Sequence, residues 1–144
     1  MKKLICVMTL VCIGILLVSC GSKRLDNPKA QFIRDFGLNI EKKDCVLEEL
    51  FNNYEGVPYE GIALYKLTVG EDVRQAFLQW ERFPLPEAAD NFLESLSAYV
   101  ELPSITDGYW KMVDRNPGTS AYTNVSLCVY DGATGAAYLL TMDI

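Results

Sequence analysis

The chain has 144 residues, half of them hydrophobic, with 19 Asp and Glu against 13 Lys and Arg for a net charge of −6. An acidic chain of this balance has no electrostatic basis for gripping a phosphate backbone, so nucleic acid is not an expected partner. It contains no histidine, which removes Ser-His-Asp and Cys-His catalysis, histidine metal ligation and the usual proton shuttle near neutral pH. Carboxylate pairs, lysine chemistry and a serine–lysine dyad stay open, and neither a metal nor an organic cofactor is expected.

The first element is a leader. Met1, Lys2 and Lys3 give a positive start, residues 4–18 form an apolar run broken by Thr9 and Gly14, and Ser19-Cys20 ends it with small residues before the polar Gly21-Ser22-Lys23-Arg24. A charged start, a short apolar core and a small-residue cleavage site mark a secretory signal. The run is shorter than the roughly 20 residues of a spanning helix.

Leu17-Val18-Ser19-Cys20 resembles the lipobox of bacterial lipoproteins: a branched apolar residue, a permissive one, a small one, then Cys. That resemblance implies diacylglycerol on the Cys20 thiol, cleavage before Cys20 by signal peptidase II, and acylation of the new amino group. Two or more acyl chains give stable anchoring where one does not. The expected location is the extracytoplasmic side of a cell membrane or, since Gly21 rather than Asp follows the lipidated residue, of an outer membrane. Loss of residues 1–19 takes two Lys and brings the net charge to −8, so anionic headgroups offer no second contact.

Residues 20–30 read as the lipidated N-terminus and a polar tether, and residues 31–144 as one domain. Residues 31–36 suit a helical turn with Phe32, Ile33 and Phe36 on one side, stopped by Gly37. Residues 44–52 fit a helix or a strand; the turn-rich stretch 54–61 and the clear strand 62–69 favour a strand paired as a hairpin. Residues 71–78 suit a short helix. Residues 87–99, behind Pro86, are the best helix, with Ala88, Phe92, Leu96 and Tyr99 three and four apart. Residues 109–113, 125–130 and 137–142 read as strands, the last two flanking the loop 131–135. The expected fold is α+β, a single small domain with a mainly antiparallel sheet of about five strands and one or two helices.

Candidate site residues are few. Cys45 and Cys128 survive cleavage and either bridge or serve as buried thiols. Trp80 and Trp110 lie in or beside strands, where aromatics hold ligands at interfaces or simply pack in a core. Tyr122, in the polar loop 116–124, has the weakest packing explanation. Arg115 follows Asp114 and cannot face it on a strand, so it pairs elsewhere or meets a ligand carboxylate. Glu48, Glu49, Glu55 and Glu60 could offer oxygen ligands to a hard cation, but their spacing fits no calcium loop and a solvated face explains them.

From Trp80 onward the chain loosely resembles small bacterial proteins of no assigned activity. The shared features are Trp80 with Leu85-Pro86, Gly108-Tyr109 running to Asp114-Arg115, Asn124 running to Tyr130-Asp131, and Tyr138. The expected role is a membrane-anchored binding or interaction module, including an immunity- or inhibitor-like one, with a protein or carbohydrate ligand. The alternatives are a small carboxylate-dependent hydrolase acting on envelope polymers and an accessory subunit of an envelope complex. Replacing Cys20 with Ala should abolish lipid labelling and signal-peptidase-II processing; intact-mass analysis of the wild-type membrane form checks this, and an unmodified Cys20 would refute the anchor.

Overall fold

The computed structural model describes residues 28–40, 44–55, 60–118 and 123–144. The leader, Cys20 and Tyr122 lie outside the described residues. Among the described residues no helix is long and apolar enough to cross a membrane.

Helix α1 spans Pro28–Phe36, followed by strands β1 (Val46–Asn52) and β2 (Gly61–Thr68), helix α2 (Glu71–Phe77), the two-residue strand β3 (Glu81–Arg82) and helix α3 (Glu87–Leu96). Strands β4 (Gly108–Asp114), β5 (Asn124–Asp131) and β6 (Ala136–Asp143) complete the chain. They form one six-stranded sheet in the order β1-β2-β6-β5-β4-β3, with every pairing antiparallel. The α+β class holds: among the described residues there are six strands where about five were expected and three helices where one or two were. Strand β3 is too short for its alternation to register in a sequence.

Helix α1 starts at Pro28, three residues before the helical turn expected at residue 31. Pro28 opens α1, a position that suits its fixed φ and missing N–H, and Phe32 and Phe36 are buried four residues apart. Ile33, one step round the helix, is 39% exposed rather than sharing their side. Gly37 then takes φ +68°, and its N–H donates to the Ile33 carbonyl at 2.9 Å, the left-handed stop that glycine adopts without Cβ strain. Helix α3 likewise buries Ala89, Phe92 and Leu96 rather than Ala88, and it ends before Tyr99, which is 59% exposed.

Strand alternation sorts the core onto two faces. On the first, Tyr65, Leu67, Cys128, Tyr130, Ala137 and Leu139 meet α1, α2 and the segment carrying Leu38, Ile40 and Cys45. On the second, Ile62, Leu64, Val125, Leu127, Val129, Leu140 and Met142 meet α3 and Val100. Both faces of β5 and β6 are covered, so these strands are buried almost end to end. Edge strand β1 differs: a register shift between Glu49 and Phe51 sends Leu47 to the first face and Phe51 to the second. A bulge and exposed Glu48 and Glu49 also blunt this edge against pairing with another chain.

The two cysteines do not form a bridge. Both are buried and free, on the first face. Cys45 precedes β1, while Cys128 sits in β5, three strands away in the sheet order. At about 4.8 Å per strand the lateral separation alone is about 14 Å, against a bonding limit of about 7 Å between Cα atoms. Cys128 points to the side opposite Leu127 and Val129, and that side is covered by α1 and α2, so it serves as a buried thiol. Burial pushes the Cys128 thiol well above its ordinary pKa, so it stays protonated and unreactive. Thiol titration of unreduced protein should therefore find both sulfhydryls free in denaturant and Cys128 unreactive in native buffer. Absence of free thiol after denaturation would contradict the strand order.

Candidate functional site

Arg115 follows β4 directly and turns back under the sheet. Its guanidinium reaches Asp35 of α1 at 3.1 Å and the Met142 carbonyl at 3.2 Å, and also bonds the Ser126 hydroxyl and the Asp143 carboxylate. Ser126, fully buried in β5, donates to Asp35 at 2.7 Å. The Tyr54 hydroxyl donates to Asp143 at 2.9 Å and lies 3.2 Å from buried Thr141. Burial pushes the Tyr54 phenol upward, so it remains a neutral donor. Arg115 thus finds its carboxylates inside the domain, and its side chain is 17% exposed. It is a clamp joining α1, β4, β5 and β6, not a free ligand contact.

The tryptophans do not converge either. Trp80 belongs to the first face, tilted against Phe36 with centroids 5.5 Å apart and edge-on to Phe77 at 4.8 Å; Phe77 in turn stacks on Tyr130 at 4.8 Å. Lys111 Nζ sits 5.9 Å from its ring centroid. Trp110 belongs to the opposite face. With one tryptophan on each side of the sheet, no single cleft holds both; their burial is core packing. The Trp110 indole N–H is buried without a partner among the described residues, a cost of about 1–3 kcal/mol.

The opening lies elsewhere. Over the second face is a cleft of about 550 Å³, within the range of roughly 300–1,000 Å³ typical of small-molecule sites. Its floor is two directly opposed strand pairs, Leu127 with Leu140 and Val129 with Tyr138. Helix α3 supplies one wall through Asp90 and Leu93, three apart and so on one side of the helix. Phe83, Pro84 and Leu85 form another, held to the sheet by the bond from Phe83 N–H to the Gly108 carbonyl at 3.1 Å. Residues 102–106 close the third, with Leu102 and Ile105 turned inward and Ser104 and Thr106 adding hydroxyls. Gly108 is required at this junction: it holds φ +153°, and a Cβ there would lie 1.9 Å from the Tyr130 carbonyl oxygen.

Sequence reasoning missed this site. Two of its three walls come from segments without a period, where the signal is apolar Leu85, Leu102 and Ile105 standing among Pro84, Pro86 and Pro103. Chemically the cleft can desolvate an apolar group and offer a few polar contacts at Asp90, Ser104, Thr106 and Tyr138. Among the described residues no group of three Cys, Asp or Glu is placed to hold a metal ion. No family model, no curated protein and no solved structure matches this chain.

Removal of the Asp35 charge should test the clamp. Burial alone would raise the Asp35 pKa, but hydrogen bonds from Arg34 and Ser126 and the charges of Arg34 and Arg115 outweigh it, leaving the carboxyl below its ordinary value. A carboxyl depressed on folding adds stability that is complete above its ordinary value near pH 4 and is lost as pH falls through the folded value. The urea midpoint of the wild type should drop below about pH 4 with a limb that Asp35→Asn flattens, and at neutral pH the variant should lose about 2–3 kcal/mol. An unaltered acid limb in Asp35→Asn would show that the clamp contributes nothing.

Proposed function

We propose that this chain is an extracytoplasmic lipoprotein, held to a membrane by lipid on Cys20, whose domain is a binding module with the cleft over β5 and β6 as its site. The observation that carries it is the cleft itself: an apolar floor fixed by paired central strands, with few polar groups around it. Such a floor is rigid because each strand is bonded on both sides, so a ligand meets a preformed surface and little ordering is needed on binding.

The lining supports binding over hydrolysis. Glycoside hydrolysis of the usual kind uses two carboxyl groups about 5–10 Å apart, and Asp90 is the single carboxylate in the lining. The apolar walls also fit the hydrocarbon or aromatic part of a ligand better than the hydroxyl-rich face of a sugar. An interaction module that seizes an apolar group of a partner, as an immunity- or inhibitor-like protein would, fits this chemistry.

A neutral fluorescent hydrocarbon such as N-phenyl-1-naphthylamine is the direct probe. It should bind the wild-type domain with blue-shifted emission, and Ser104→Trp, which fills the mouth from an exposed position, should weaken it by about tenfold or more, the worth of about 1.4 kcal/mol of lost burial. Equal uptake by the wild type and by Ser104→Trp would remove the cleft as the site.

A further inference from the structure

Helix α3, which walls the cleft, carries a row of like charge that reaches the lining at Asp90. Glu87, Asp90 and Glu94 fall at i, i+3 and i+7, so they form one stripe along the helix, and all three are exposed. Asp90 itself lines the cleft. None of the three is in an ion pair among the described residues. Like charges at these spacings repel, costing about 0.2–0.5 kcal/mol per pair. The helix dipole offsets this for Glu87 and Asp90 in the first turn, but Glu94 lies near the C-terminal end, where the dipole opposes a negative charge and α3 has no basic residue in its last turn. The helix therefore keeps a carboxylate that its own stability disfavours, in line with the one that enters the cleft.

Resting on the assignment of the cleft as the binding site, we propose that its ligand is a cationic peptide segment, extended, with basic and apolar residues alternating. The charge complementarity is to a polycation, because a single amine would engage one carboxylate of the three. The spacing agrees: neighbouring carboxylates on the stripe are about 5–6 Å apart, and residues i and i+2 of an extended chain are about 6.6 Å apart on the same side. Basic side chains then run along α3 while the intervening apolar ones enter the cleft over Leu127, Val129 and Tyr138. The chain's overall negative charge steers such a segment toward it from a distance.

The test uses the full-length lipid-anchored protein on phosphatidylcholine vesicles, with protein-free vesicles as blank. Two fluorescein-labelled hexapeptides serve as probes, one alternating Lys with Leu, the other Glu with Leu. The wild type should bind the Lys peptide about tenfold or more tighter than the Glu peptide, and Glu87→Gln/Glu94→Gln should remove most of that preference, as two rim ion pairs worth about 0.7 kcal/mol each would require. Asp90→Asn, a milder change, should lower the preference too and covers the case of a double variant that fails to fold by circular dichroism. A smaller preference in the wild type, or one that survives these substitutions in folded protein, overturns the cationic peptide. If N-phenyl-1-naphthylamine is then still taken up and still lost in Ser104→Trp, the cleft stands as the site and only its ligand class falls. If that probe is never taken up, both fall.

Discussion

Burial of β5 and β6 on both faces is the constraint from which the rest of this structure follows. Antiparallel sheets commonly leave one face to water, but here Leu127, Val129 and Leu140 are covered from one side and Cys128, Tyr130 and Leu139 from the other. Each central strand needs its polar residues satisfied without solvent. Of the buried hydroxyls on these strands, Ser126 is met by Asp35 and Arg115 and Thr141 by Tyr54, while that of Tyr130 has no partner among the described residues. The clamp around Arg115 is the consequence: it satisfies the middle of the sheet and, through Asp35, fastens α1 to it.

Unequal covering of the two faces makes the cleft. Six strands at about 4.8 Å spacing present a face about 24 Å wide, and one helix with its side chains covers about 10 Å of it. The first face has α1, α2 and the segment with Leu38 and Ile40, enough to close it, and the aromatic series Phe36, Trp80, Phe77 and Tyr130 fills the space between. Among the described residues the second has one helix, α3, with the short segment Phe83 to Leu85 before it and the irregular stretch after it. That stretch reaches over the sheet through Leu102 and Ile105 without filling the centre, and the floor pairs Leu127–Leu140 and Val129–Tyr138 are left facing an opening. The proposed anchor at Cys20 and the proposed peptide-binding role fit each other: together they would put an acidic domain where exported cationic segments meet it.

Local patterns were legible in the sequence, and long-range ones were not. β-Branched and aromatic runs marked β2, β4, β5 and β6, and the turn chemistry around residues 54–61 tipped the ambiguous 44–52 toward the strand that β1 is. Helix phases were off by one position at Ala88 and Ile33, because a short stripe of apolar residues fits two neighbouring rotations of a helix. For the tryptophans, the cysteines and Arg115 the sequence left two readings open, for a different reason. Their partners are fixed by strand order, and the order β1-β2-β6-β5-β4-β3 puts Cys45 and Cys128 three strands apart and the tryptophans on opposite faces. A cleft assembled from residues 83–85, 90–93 and 102–106 over two later strands has no local signature at all.

Amide hydrogen exchange of the full-length protein tests the double-sided burial most directly. Exchange rates follow the free energy of local or global opening, so the account predicts the slowest amides in β5, β6 and the adjoining β2, exchanging only through global unfolding. The edge strands β1 and β3 and residues 102–106 should exchange faster by orders of magnitude. Amides of β5 and β6 that exchange as fast as those of β1 would contradict a sheet packed on both faces.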